Sequence, residues 1–239
     1  MNEGHILITG GNSDIGKSVV EAIRKELKWP IIVTRNTQNF SFSGKNIEEV
    51  TVDCDNRQEV ESFAHSIGGL GISHYIQLQG NSWSSDYLDT QSFESLDYHL
   101  NINCLSTIMI LRFLLPTMKQ RKFGRICLMN TASSEHGGGE SNFGYGLAKH
   151  SVGYTIKYLA KFYTSFNILS NCVSPGLIET KFHTKRMKRT LKQLEIRASM
   201  VPLGRLGTPS EVADLIYHIT FKNSFISGEN FKIDGADFS

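Results

Sequence analysis

"HILITGGNSDIG", residues 5–16, is an apolar run that stops at two glycines and resumes with a different period. Ile6 to Thr9 reads as a short strand. Ile15, Val19, Ile23 and Leu27 then recur four apart, which is one face of a helix. Gly10, Gly11 and Gly16 fall in the turn between them. In an open parallel sheet this first strand-to-helix turn is a favoured phosphate site, because backbone N–H groups and the helix dipole face an anion there. A tight turn also uses glycine for steric reasons alone, so the turn by itself leaves both readings open. Asp14 puts a carboxylate into the loop. The expected place for it is the N-cap, with the side chain turned back into the helix, and the expected consequence is somewhat weaker anion binding.

Working outward, Ile31–Thr34, Glu49–Val52, Tyr75–Leu78, Ile126–Met129 and Ile168–Val173 each read as a further strand. Helical patterns lie between them, such as Val60, Phe63, Ala64 and Ile67 at i, i+3, i+4, i+7. Strand–helix alternation implies right-handed crossovers and a parallel sheet covered on both faces. No repeat or Pro/Ser-rich linker divides the 239 residues. The expectation is therefore a single doubly wound α/β domain over residues 1–239, with a sheet of about seven strands. "TPSE", residues 208–211, predicts a helix start with Thr208 as N-cap, Pro209 at the first helical position and Glu211 reaching back.

Composition excludes several classes. Charged content of 20% and a formal charge of +2 argue against nucleic acid as partner. Only five residues precede Ile6, too few for a secretory leader. The most apolar later stretch, Ile108–Pro116, contains Arg112 and is short for a membrane span. Cys54, Cys104, Cys127 and Cys172 match neither zinc nor disulfide spacing, so a reducing cytoplasm is expected.

Thr9-Gly10-x-x-x-Asp14-Ile15-Gly16, followed far downstream by Tyr145-x-x-x-Lys149, resembles the short-chain dehydrogenase/reductase family. The likeness includes members such as 3-oxoacyl-carrier-protein reductases and sugar-nucleotide enzymes. "VDCDNRQEV" (52–60), "LNINCLSTIMILRFLLP" (100–116), "NCVSPGLIET" (171–180), "PLGRLGTPSEVA" (202–213) and "ISGENFKIDGA" (226–236) are similar to further family segments in the same order. The resemblance implies a Rossmann fold. It also implies cofactor contacts from Gly10, Asn12, Ser13, Asp14, Ile15, Arg35, Asp53, Cys54, Gly80, Pro175, Gly176, Ile178 and Thr180, joined by Tyr145 and Lys149. Three departures stand out. Gln77-Leu78-Gln79-Gly80 replaces Asn-Asn-Ala-Gly, Asp234-Gly235-Ala236 replaces Asp-Gly-Gly, and Asp14 replaces a glycine.

Tyr145 and Lys149 are four apart on a helix and share a face. A free tyrosine titrates about three units above neutrality, a gap of roughly 4 kcal/mol. An ammonium about 4 Å away supplies that much at an effective dielectric near 20, so Lys149 is expected to tune Tyr145 as general acid or base. The resemblance further implies that Lys149 holds the nicotinamide ribose, that Asn103 supports a water-mediated proton relay, and that a hydroxyl on Thr131 or Ser133 holds the substrate oxygen. Thr131 is favoured by its position on the strand. His136 is expected to be a solvent-exposed loop residue.

The second strand ends in Arg35 and Asn36 with no carboxylate, which favours NADP over NAD through a charge-assisted contact to a 2′-phosphate. Residues 181–197, "KFHTKRMKRTLKQLEIR", carry seven basic residues against Glu195 alone. This segment lies in an expected substrate lid at about 180–203, and its charge points to an anionic carbonyl or alcohol substrate, either nucleotide-sugar or acyl-carrier/CoA-linked. A solvated helix face is the competing reading. The resemblance implies a homodimer or homotetramer. Two functions follow: an NAD(P)(H)-dependent ketone/secondary-alcohol oxidoreductase, or an inactive dinucleotide-binding sensor or scaffold of the same fold.

Overall fold

The strands are β1 (His5–Thr9), β2 (Ile31–Arg35), β3 (Ile47–Thr51), β4 (Ile72–Gln77), β5 (Gly124–Met129), β6 (Ile168–Pro175) and β7 (Asn230–Ile233). In the computed structural model, which describes residues 4–36, 41–82, 86–186 and 189–237, all of them pair in parallel. Their order across the sheet is β3-β2-β1-β4-β5-β6-β7. The chain winds outward from β1 in one direction, then crosses back to β4 and winds out in the other. That reversal opens a crevice at the carboxyl ends of β1 and β4, where doubly wound sheets bind ligands.

The helices are α1 (Asp14–Glu26), α2 (Arg57–Ile67), α3 (Phe93–Leu100), α4 (Ser106–Arg121), α5 (Phe143–Tyr163), α6 (Leu191–Met200) and α7 (Pro209–Tyr217). Period-two alternation along the strands feeds two cores. Leu7, Ile32, Tyr75, Ile126 and Leu128 pack on one face against α2, α4 and α5. Ile6, Ile8, Val33, Ile76 and Cys127 pack on the other against α1 and α7. Burial on both faces explains why β1 reads as a continuous apolar run rather than an alternating one. The capping box at Thr208 forms as expected, with Pro209 opening α7.

Three findings differ from the sequence reading. β7, "NFKI", is only four residues long and half-buried to exposed; Phe231 and Ile233 alternate onto the α1/α7 core, and its register on β6 defines it. The apolar stretch 108–116 belongs to a longer helical run, Phe93–Arg121, which by length and composition alone is sufficient to cross a membrane. Its Ile110, Leu111, Leu114 and Met118 instead fill the core beside the sheet. Ala236, at the family's second glycine, sits at φ +70°, a left-handed conformation that disfavours a Cβ. Ala236→Gly should therefore raise stability by about 1 kcal/mol, read as a higher urea midpoint with unchanged slope; a lower midpoint contradicts the strain.

Candidate active site

The β1–α1 turn is built for close approach. Gly10 has φ +73°, and a Cβ there would lie 2.5 Å from the Gln79 amide nitrogen. A Cβ on Gly16 would lie 2.5 Å from the Gly11 carbonyl oxygen. The helix cap is Ser13, not Asp14: its hydroxyl accepts from the Gly16 N–H at 3.0 Å and donates to the Gly10 carbonyl at 2.9 Å. Asp14 is the first residue inside α1, and its carboxylate faces outward. There it accepts from the Lys181 N–H at 2.7 Å, tying the start of the lid segment to the glycine turn. The expectation of a side chain folded back into the helix is corrected accordingly. Serine one position earlier already fills that role.

The end of β4 lies beside this turn. Gln77 and Gln79 are buried and hydrogen-bonded. Gln77 accepts from the Met129 N–H at 3.1 Å and donates to the Gln79 carbonyl at 2.6 Å. Gln79 donates to Thr107 at 3.1 Å and accepts from the Thr9 hydroxyl. The altered motif thus ties β1, β4, β5 and α4 together with satisfied polar groups, which is what a buried amide requires.

Between α3 and α4 the helix widens into a π-turn at Asn101–Leu105, a feature frequent at functional sites. It aims Asn103 inward. The Asn103 amide donates to the carbonyls of Asn81 and His99, both at 2.9 Å, and its oxygen accepts from the Asn81 N–H at 3.0 Å. A Cβ on Gly80 would lie 3.0 Å from Asn103 Oδ1 and 3.3 Å from Lys149 Nζ, so Gly80 leaves open the space that these two side chains border.

Tyr145 and Lys149 lie on α5, one turn apart. Lys149 is buried, donates to the Met129 carbonyl at 2.8 Å, and places Nζ 6.0 Å from the Tyr145 ring centre. Burial lowers the Lys149 ammonium to about 8, with small opposing contributions from Cys172 and Cys104. Burial also pushes the Tyr145 hydroxyl up, above its ordinary range. The spacing alone predicts that the lysine pulls the tyrosine down. In the structure desolvation raises the hydroxyl instead, and the ammonium is engaged by the Met129 carbonyl. At the end of β5, Thr131 and Ser133 are both half-buried and their hydroxyls are 3.1 Å apart. The two candidates form one hydroxyl pair. His136 is exposed, as expected.

The chain can be set against known proteins. The sequence profile of a family described as enoyl-(acyl carrier protein) reductase matches residues 14–235. The 3-oxoacyl-[acyl-carrier-protein] reductase FabG of Thermotoga maritima is 31% identical, over 98% of both chains. The chain belongs to the short-chain dehydrogenase/reductase family. It is an oxidoreductase of that family. Carbonyl reductase family member 4 of Xenopus laevis is 28% identical over 96% of this chain and 95% of that relative. A solved structure, ElxO with NADP bound, superposes with TM-score 0.85 at 25% identity, covering 98% of each chain.

Against this short-chain dehydrogenase/reductase frame the predicted residues divide. Gly10, Asn12, Ser13, Asp14 and Ile15 form the first turn; Gly80 lies beside Asn103 and Lys149, with Tyr145 one turn before Lys149 on α5. Pro175 ends β6, and Gly176 donates to the Ile233 carbonyl at 3.0 Å. Ile178 is buried, and Thr180 donates to its carbonyl at 3.4 Å. Asp53 is exposed, with its N–H donating to Glu59 and its carboxylate accepting from the Asp55 N–H. Cys54 is buried and desolvation pushes its thiol up to about 12, so its side chain stays neutral. Arg35 ends β2 and is ion-paired to Glu49 at 3.0 Å.

The lid begins as a π-turn, Phe182–Arg186, and continues as α6. Phe182 sets its ring 6.3 Å from that of Tyr145. Arg197 is committed to Asp237 at 2.8 Å, whereas Lys185 and Lys192 are exposed. Lys188 and the side chain of Arg186 lie outside the described residues. Sequence reasoning missed Phe182 as an aromatic cover for Tyr145, and it missed Asp86, whose carboxylate reaches the first turn of α5. Gly144, immediately before Tyr145, was the available signal for that approach.

Proposed function

We propose that the chain is an NADPH-preferring ketoreductase whose substrate is an anionic acyl thioester, carrier- or CoA-linked. The observation that carries the reading is a turn that excludes side chains at Gly10 and Gly16, with Gly80 bordered by Asn103 and Lys149 beside it, Lys149 bonded to the end of β5, Tyr145 one turn before that lysine, and the Thr131/Ser133 hydroxyl pair just beyond that strand. The steric exclusion fits a dinucleotide phosphate held on the first-turn amides of α1. Gly10, Asn12, Ser13, Ile15, Arg35, Asp53 and Thr180 are the residues that would hold the cofactor, with Lys149 on its ribose. NADP is supported by Arg35 at the end of β2 and by the NADP-bound relative. The thioester class is supported by the names of the matched family and of the Thermotoga relative, together with exposed Lys185 and Lys192 in the lid.

A nicotinamide held there would supply the hydride. The protein residues handle the proton and the carbonyl oxygen. The Tyr145 hydroxyl, kept protonated at neutral pH by its burial, donates its proton to the substrate oxygen. The Thr131/Ser133 pair offers that oxygen a second donor. Phe182 sets its ring beside the tyrosine, 6.3 Å away. Lys149 supplies positive charge near the developing alkoxide. The Asn103 side chain is taken up by the backbone of Asn81 and His99, so its role in this reading is to join those two segments rather than to relay protons.

Lys149 is cationic below about 8 and loses its charge above it. NADPH-dependent reduction is therefore expected to fall as pH rises through about 8, and titrating NADPH and NADH separately should show tighter binding of NADPH. A flat profile across that range, or a clear preference for NADH, contradicts the assignment. We further propose that α4 and α5 pair between copies in a homodimer or homotetramer, since Ile108, Tyr154 and Tyr158 are exposed along them. The four buried free thiols accord with a reducing cytoplasm.

A further inference from the structure

The helix that carries Tyr145 begins without a cap of its own. Asn142 stands at the N-cap position of α5 and makes no side-chain bond to the first turn, although the first N–H groups of any helix need acceptors. The acceptor comes from 58 residues away in sequence. Asp86 Oδ2 accepts from the Gly144 N–H at 2.6 Å and from the Tyr145 N–H at 3.3 Å. The main chains are joined at the same point: the Asp86 N–H donates to the Ser141 carbonyl at 3.1 Å, and the Phe143 N–H to the Asp86 carbonyl at 2.9 Å.

The Asp86 side chain is fully buried. Its second oxygen accepts from the Ser95 hydroxyl at 3.1 Å and from the Gln91 amide. His99 Nδ1 lies 3.6 Å from Oδ2, with its nearer partner the Ser95 carbonyl at 2.8 Å, and the His99 carbonyl in turn accepts from Asn103. Gly144 makes the approach possible, since a Cβ there would lie 3.0 Å from both Asp86 Oδ2 and His99 Nδ1. A buried carboxylate is costly unless hydrogen-bonded throughout. A serine at position 142 would cap the helix more simply. What the distant cap adds is a fixed link between the segment after β4, the π-turn of Asn103 and the backbone of Tyr145 itself.

We propose that Asp86 is a positioning residue for the reaction: it clamps the first turn of α5 so that the Tyr145 hydroxyl stays in register with the Thr131/Ser133 pair, touching neither substrate nor cofactor. The inference rests on the function proposed above, in which Tyr145 is the proton donor. Misplacing a reacting group by about 1 Å is worth on the order of 100-fold in rate. The test compares wild type, Asp86→Ala, Asp86→Asn and Gly144→Ala, with acetoacetyl-CoA and NADPH as probes.

Asp86→Ala should lower kcat by roughly 100-fold while KM and the NADPH Kd stay within about threefold. Asp86→Asn keeps an acceptor for the Gly144 N–H and should recover most of that loss. Gly144→Ala keeps the carboxylate but displaces it, and should lower kcat by about tenfold with cofactor binding intact. Full kcat in either alanine variant overturns the proposal, as does a kcat loss matched by equal loss of NADPH affinity. Should Asp86→Ala not fold, Gly144→Ala carries the decision alone. A wild-type protein without reductase turnover defeats the underlying function instead, and is distinguished by that control.

Discussion

Tyr145→Phe is expected to lower kcat for ketone reduction by about 10²–10⁴-fold, the range that a positioned general acid contributes. The NADPH Kd should change little, because the substitution removes one hydroxyl and leaves the ring packed under Phe182. The size of the loss follows from the surroundings. Desolvation raises the Tyr145 hydroxyl, so at neutral pH the proton is on the oxygen and present for transfer. Single-turnover kinetics with pre-bound NADPH isolate the chemical step. A kcat within a few-fold of wild type in Tyr145→Phe would move the proton donor elsewhere.

Gly10→Ala has the second large expected effect, and it acts on stability as well as binding. At φ +73° an alanine is strained, and its Cβ would stand 2.5 Å from the Gln79 amide nitrogen and 2.7 Å from the Gln79 Cα. Both are backbone atoms, so no side chain can swing aside. Relief requires β1 and β4 to separate at the switch point, against their main-chain bond from Leu78 N–H to the Thr9 carbonyl at 2.8 Å. Left-handed strain of about 1–2 kcal/mol plus overpacking of about 1–3 kcal/mol gives a destabilisation near 3 kcal/mol. For a chain of this length that is a fall in Tm of roughly 6–12 °C. NADPH binding should weaken in parallel, because the same turn presents the amides. An unchanged Tm would show that the turn relaxes freely and does not shape a phosphate site.

The β1–α1 unit was legible because both its periods are uninterrupted: Ile6 to Thr9 alternates between two buried faces, and Val19 and Ile23 fall on one helix stripe. Tyr145 and Lys149 were legible for the same reason, as a local pair one turn apart. What stayed hidden depends on contacts distant in sequence. β7 is a short edge strand whose residues are half-buried at most, so only its pairing with β6 marks it. The Asp14 carboxylate reads as a helix cap until Lys181, 167 residues later, is seen to donate to it. The opposing sign at Tyr145 has a similar origin. Spacing brings Lys149 to the correct face, whereas burial and the Met129 carbonyl govern the electrostatics, and neither is written in a four-residue interval.

The central claim is that this short-chain dehydrogenase/reductase is a working NADPH-dependent ketoreductase rather than an inactive relative that binds dinucleotide. Purified wild-type protein mixed with NADPH and acetoacetyl-CoA tests it most directly, followed as loss of NADPH absorbance with the hydroxyacyl product identified by mass. The account predicts steady turnover that depends on both reactants and disappears in Tyr145→Phe. Tight NADPH binding without turnover on acetoacetyl-CoA, other acyl thioesters or nucleotide-sugar ketones would contradict it.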